Sequence, residues 1–214
     1  MPVEGGTFTM GATSEQEEPS DNEFPTHQVT LSSYMIGETE VTRGLWDAVM
    51  GNAPAVFKGH NRPVVNVSWE DCQEFIKKLN KLTGRKFRLP TEAEWEFAAR
   101  GGNKSNHTQY AGSDNLNNVA WYDENSDKTH DVATKSPNEL GLYDMSGNVY
   151  EWCQDRYGGY SSSAQTTPTG PSSGSSRVLR SSCWDDGARH CRVSCRFNDT
   201  PSFRGNYLGL RLAL

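Results

Sequence analysis

Apolar residues recur at helical spacing in three stretches of the chain, each bracketed by residues that start and stop helices. Thr42 caps the first, which is expected to bury Leu45, Trp46 and Val49 and to end at Gly51. Ser68 with Asp71 forms an acidic capping box for the second, where Trp69, Cys72, Ile76 and Leu79 recur before Gly84 ends it. Thr91 with Glu94 opens the third, followed by Trp95, Ala98 and Ala99 and stopped by Gly101-Gly102. Elsewhere the period shortens to two. Gly5 to Gly11 alternates as a short strand, and His27–Leu31 with Tyr34–Ile36 reads as a strand pair or one bent strand. Residues 13–26 are acidic and turn-rich and are expected on the surface.

From 103 to 176 the chain is mostly Asn, Ser, Gly, Asp, Thr and Pro, interrupted by one apolar island from Leu140 to Trp152. Such composition alone predicts disorder. The aromatic residues spread from Trp121 to Tyr160 predict instead an ordered structure made largely of loops. Residues 161–176 are the least structured, yet their position gives no domain boundary, and there is no internal repeat. The 214 residues are therefore read as a single domain, 1–214.

Only 34% of residues are hydrophobic, but six Trp, eight Tyr and eight Phe need a folded interior or a binding face. The net charge of -6 disfavours nucleic acid, whose phosphates call for a basic footprint. No run of 18 apolar residues spans a membrane. The acidic charge, and helices without a spare apolar stripe, point to a monomer. The start, Met1 to Gly6, is neither a signal peptide nor a lipidation sequence, so the chain is either cytoplasmic or a mature form without its leader. Five cysteines, at 72, 153, 183, 191 and 195, leave at least one thiol free, and no CxxC pair marks a zinc site. Cys72 and Cys153 sit in apolar contexts and read as small buried hydrophobes.

Several ordered motifs carry a family resemblance. They are Gly5-Gly-Thr-Phe-Thr-Met-Gly11, Glu40-Val-Thr42, Pro63-Val-Val-Asn-Val-Ser-Trp69, Arg88-Leu-Pro-Thr-Glu-Ala-Glu-Trp95 and Gly147-Asn-Val-Tyr-Glu-Trp152, completed by Arg177-Val-Leu-Arg180 and Gly209-Leu-Arg-Leu212. Together they span essentially the whole chain, which resembles the formylglycine-generating-enzyme (sulfatase-modifying factor) family. The resemblance implies an α+β domain with a variant C-type lectin fold: a small twisted antiparallel sheet, two main helices and much irregular structure.

It also implies where catalysis would sit. Oxidases of that family hold copper(I) between two cysteines five residues apart, beyond the Arg-Val motif, and convert a substrate cysteine to formylglycine. Counting from Arg177-Val178 puts the first position at Asp186 and the second at Cys191. A carboxylate is a hard oxygen ligand, poorly matched to copper(I). No copper and no enzyme activity are therefore expected, and Cys191 reads as a buried structural thiol. A displaced pair of Cys191 with Cys183 or Cys195 keeps the oxidase as an alternative. Related iron enzymes need clustered histidines, whereas His27, His60, His107, His130 and His190 are scattered without ligand spacing. By the same resemblance, Asp144, Gly147, Val149 and Glu151 fall on a calcium site, with two carboxylates and the backbone carbonyls of Gly147 and Val149 as ligands. A structural calcium is weighed there evenly against a Glu151 that merely accepts backbone hydrogen bonds.

The C-terminal segment is the most distinctive. Between family-like positions such as Arg177, Arg180, Trp184, Arg192, Arg196 and Arg211 lie Cys183, Asp185, Asp186, Gly187, His190, Cys195, Phe197, Asn198, Asp199, Thr200, Ser202, Phe203, Gly205, Asn206, Tyr207 and Leu208, which with Trp184 make up the expected ligand-binding residues. These follow no helical or strand period. Nearly all are residue types reached from an asparagine codon by changing its adenines, which is how retroelements diversify their target proteins. The chain is thus similar to the Treponema-type variable proteins of diversity-generating retroelements, with 177–214 as the variable region. That resemblance implies a ligand-binding surface on a lipoprotein at the cell surface, with a protein or another surface molecule as partner. Rigid aromatics would supply contact area and polar neighbours adaptable hydrogen bonds, and the aspartates favour a basic or polar ligand. Replacing Phe203 and Tyr207 by Ala is expected to abolish binding at little cost in stability, while some of the four aromatics Trp184, Phe197, Phe203 and Tyr207, Trp184 especially, are expected to be core. An invariant interaction domain is the remaining alternative.

Overall fold

The computed structural model describes residues 1–54 and 56–214. In chain order it has β1 (Pro2–Val3), β2 (Gly6–Met10), β3 (His27–Leu31), β4 (Tyr34–Met35), α1 (Arg43–Met50), α2 (Trp69–Thr83) and α3 (Glu92–Ala99). The short helix α4 (Leu116–Val119) follows, then β5 (Tyr150–Arg156), β6 (Gln165–Thr166), β7 (Arg177–Arg180), β8 (Phe197–Asp199) and β9 (Leu208–Leu210). The three helices start where expected. Thr42, Ser68 and Thr91 accept the amides of Leu45, Asp71 and Glu94, and Gly51 and Gly84 end α1 and α2 in the left-handed conformation that glycine adopts without strain.

The four-stranded sheet runs β8-β7-β5-β9. Strand β5 pairs antiparallel with β7, Glu151 facing Arg180, and parallel with β9, Tyr150 facing Leu208. It is therefore mixed, not purely antiparallel. Strand β3 pairs with β2 and β6, whereas β4 pairs with β1 in a separate ribbon. The apolar residues at 27–31 and 34–36 are thus neither a hairpin nor one bent strand. The turn at 32–33 sends them to different sheets.

Apolar side chains of α1 and α2 pack on one region of the sheet through Trp46, Phe75, Trp152 and Leu210, while α3 packs with β2 and β3 through Trp95, Phe97 and Val29. Leu45, expected to be buried, is exposed. The inward positions of α1 are Gly44 and Trp46, because His60 leaves no room for a Cβ at Gly44 and Trp46 stacks on Phe75 at 4.8 Å. Val49 is half-buried at the same core, and Trp69 is also half-buried, with the Arg177 guanidinium 3.8 Å from its ring centroid.

Helix α3 is buried on every side, its three glutamates included. Their charges are matched by arginines: Glu92 by Arg180 and Arg196, Glu94 by Arg88, Glu96 by Arg100 and Arg180. Arg192 pairs with Glu23 and Arg211 with Glu151 in the same buried fashion. Removing one partner of such a pair strands an uncompensated charge at a cost of about 3–5 kcal/mol. The loop-rich stretch after α3 is ordered by polar anchors. Asn138 donates to the carbonyls of Ala98 and Ala99, and Asn148 donates to Glu40 while accepting from the His130 amide.

Candidate ligand-binding face

Strand β7 ends at Arg180, whose guanidinium is locked to Glu92, Glu96 and the Val193 carbonyl. The chain turns at Ser181, φ 67°, and enters a loop from 183 to 190 that folds on Asp186. That carboxylate accepts from the Cys183 amide at 3.2 Å and its thiol at 3.3 Å, lies 3.6 Å from His190 Nδ1 and meets Tyr150. Edge strand β8 and the turn leading to β9 complete the surface. Tyr150 lies edge-on to Phe197 at 5.0 Å and to Tyr207 at 6.1 Å, and Phe197 is edge-on to His190 at 5.4 Å. The Trp184 ring meets Phe57 of the α1–α2 connection edge-on at 5.8 Å.

The irregular C-terminal positions divide into three groups by depth. Asp185, Asn198, Thr200, Ser202 and Asn206 are exposed. Trp184, Asp186, Gly187, His190, Phe197, Asp199, Phe203 and Tyr207 are half-buried and form the ground from which the first group projects. Cys183, Cys195, Gly205 and Leu208 are buried and leave the expected surface. Leu208 is a core position of β9, Cys195 packs under Arg192, and a Cβ at Gly205 would stand 3.0 Å from the Tyr207 ring. Phe203 and Tyr207, with Trp184 and Phe197, pack against the α1–α2 core. Their replacement therefore has a stability cost that the expectation from sequence omitted. Tyr150, Phe57 and Asp123 flank the same surface from outside the C-terminal segment. Asp123 donates its amide to the Asp186 carbonyl. Their spacing in the chain carries no signal that would single them out.

Asp186 and Cys191 turn to different partners. The Cys191 thiol is completely buried, with Ser182 Oγ at 2.9 Å, and burial pushes its pKa up to about 12. Burial raises Cys195 to about 11, and burial together with the Asp186 charge raises Cys183 further. All five cysteines are free thiols. Without a bound metal, thiols raised in this way stay protonated at neutral pH.

Most of the calcium donor set already has other partners. Both Glu151 oxygens are engaged by Arg211, at 2.7 to 3.1 Å, and Oε2 also accepts from Trp95 at 2.7 Å. The Gly147 carbonyl accepts from Ser181, and Asp144 Oδ2 accepts the Ala133 amide. Val149 is fully buried beside them. Among the described residues, no group of three His, Cys, Asp or Glu could hold a metal ion. The guanidinium of Arg211, beside Asp144 and Glu40 as well, supplies the positive charge there.

Residues 1–214 match the family model of the sulfatase-modifying factor enzyme 1-like domain. The chain belongs to this family. Among solved structures it is similar to Treponema denticola variable protein 1, with a TM-score of 0.88 and 35% identity over 99% of this chain and 93% of that one. Curated relatives include the chaperone protein LppX of Paenibacillus barcinonensis, 36% identical over 71% of this chain and 69% of its own length. The formylglycine-generating enzyme of Streptomyces coelicolor is 30% identical over 98% of this chain and 87% of its own length. These likenesses agree with the α+β, lectin-type architecture and with the resemblance to a Treponema variable protein.

Proposed function

We propose that this family member is a ligand-binding protein whose exposed C-terminal positions are diversified by a retroelement and displayed at the cell surface on a lipidated form of the chain. One observation carries the reading. The exposed, irregular positions 185, 198, 200, 202 and 206 alternate with half-buried aromatics on backbone pinned from below by the buried Arg180, Arg192, Arg196 and Arg211 pairs. Side chains can change at such sites without disturbing the fold, which is what a diversified surface requires. The exposed carboxylates of Asp123 and Asp185, with half-buried Asp186 and Asp199, favour a basic protein or another cationic surface molecule.

Sequencing the locus tests this. A neighbouring reverse-transcriptase gene and a near-copy of the 3′ end, differing at adenines under the exposed codons, is the expected result. A locus without such a copy, in a chain that converts a sulfatase-motif cysteine to formylglycine when given copper(I), would establish the oxidase instead.

A further inference from the structure

A cavity of about 370 Å³ lies between the N-terminus of α3, the end of β5 and the Gly- and Pro-rich loop 158–171. None of its lining residues belongs to the face described above. Its volume falls in the range of about 300–1,000 Å³ typical of small-molecule sites. Two of its side chains are more than nine-tenths buried, yet each keeps hydrogen-bonding capacity that no other described residue takes up.

His27 is 5% exposed; its Nδ1 lies 3.2 Å from the Pro25 carbonyl, and its Nε2 makes no hydrogen bond to any described residue. Asp155 is 3% exposed; its Oδ2 accepts the Glu92 amide at 3.0 Å, the carboxylate also takes its own backbone amide, and Oδ1 meets no donor from another described residue. Both residues line the cavity. Buried polar atoms are nearly always paired. The spare hydrogen-bonding capacity of two such residues in a single cavity is what a ligand's hydroxyls would take up.

The surrounding charges decide which ligand that is. A cation would meet the guanidinium groups of Arg156 and Arg196, and an anion would meet Asp155 and Glu92. Glu92 and Arg196 are also committed to each other, at 2.7 Å through both carboxylate oxygens. What fits is a neutral ligand whose hydroxyls can both donate and accept, because imidazole and carboxyl groups each offer either role. Tyr160, with Pro168 and Pro171 of the loop, gives an apolar wall for its C–H face.

We propose that this cavity binds a small neutral polyol of monosaccharide size, held by hydroxyl contacts to His27 Nε2 and Asp155 Oδ1. Gly159 offers a clean block: it lines the cavity, its φ is not left-handed, and a Cβ there meets nothing within 4 Å. Glucose, galactose and N-acetylglucosamine, titrated into the whole chain and followed by saturation-transfer NMR, give the test, with choline and succinate as charged controls. At least one sugar should bind saturably and weaken about tenfold or more in both Gly159→Leu and His27→Phe, with the melting temperature of Gly159→Leu unchanged. Binding of none of the three sugars, sugar binding untouched by Gly159→Leu, or tighter binding of choline or succinate each overturns the proposal.

Discussion

Arg211 shows how one side chain can take over a role that a motif assigns elsewhere. Asp144, Gly147, Val149 and Glu151 stand at calcium-ligand spacing, but the Glu151 carboxylate closes on a fully buried guanidinium. A carboxylate already carrying a bidentate arginine has little left to offer a hard cation. Glu151→Gln should therefore destabilise the protein by about 3–5 kcal/mol, since it leaves Arg211 buried and unpaired. Urea denaturation with and without a chelator checks both halves: the variant's midpoint falls, and the parent's midpoint does not move with chelator. A chelator-dependent midpoint would return calcium to this loop. The spacing itself was legible, but the guanidinium that closes on Glu151 was not, because Arg211 lies sixty positions beyond it.

At the level of elements, α3 and β5 form a buried electrostatic unit that sets the response to pH. Burial and the neighbouring Glu92 charge raise the Asp155 carboxyl to about 7. Its folded form therefore holds a proton that the unfolded chain releases near pH 4, and the stability from that proton declines as pH rises between about 4 and 7. Glu23 and Glu92 behave oppositely. Burial alone would raise them, but hydrogen bonds and charge from Arg192 hold Glu23 below its ordinary value, and Arg196 with Arg180 does so for Glu92. The stability they supply is present above the unfolded carboxylate range and is lost as pH falls below about 4.3. Melting temperature against pH should thus peak near pH 5 and fall on both sides; Asp144, raised to about 6 by burial, adds to the upper limb, and Asp155→Asn should flatten the Asp155 part of it between 5 and 7. An unchanged limb in that variant would remove Asp155 as its cause. The capping boxes of α2 and α3 were readable from sequence because capping is local. The burial of α3 on all faces was not, since its glutamates are neutralised by arginines up to 104 positions away.

Across the whole molecule, the C-terminal segment divides into a buried layer that supports the fold and an exposed layer to which the proposed binding is assigned. The arginines at 180, 192, 196 and 211 and the apolar residues Leu208 and Leu210 hold the segment down, while Asp185, Asn198, Thr200, Ser202 and Asn206 face outward. Replacing those five by Ala together should abolish binding of a cognate ligand yet change stability by no more than about 0.5 kcal/mol per site. Phe203→Ala and Tyr207→Ala should lower the melting temperature, because both rings pack against the α1–α2 core. Calorimetric melts paired with a binding assay separate the two groups. Equal losses of stability in both would show that the five exposed positions also support the fold.

The sequence by itself determined the helices through their caps and the family through its ordered motifs. These rest on local hydrogen bonding or on residue identity, which need no knowledge of distant partners. Only the tertiary structure decided which C-terminal residues face solvent, that β3 and β4 belong to different sheets, and that Arg211 meets Glu151. Each depends on what lies across the fold, and no periodicity along the chain records it.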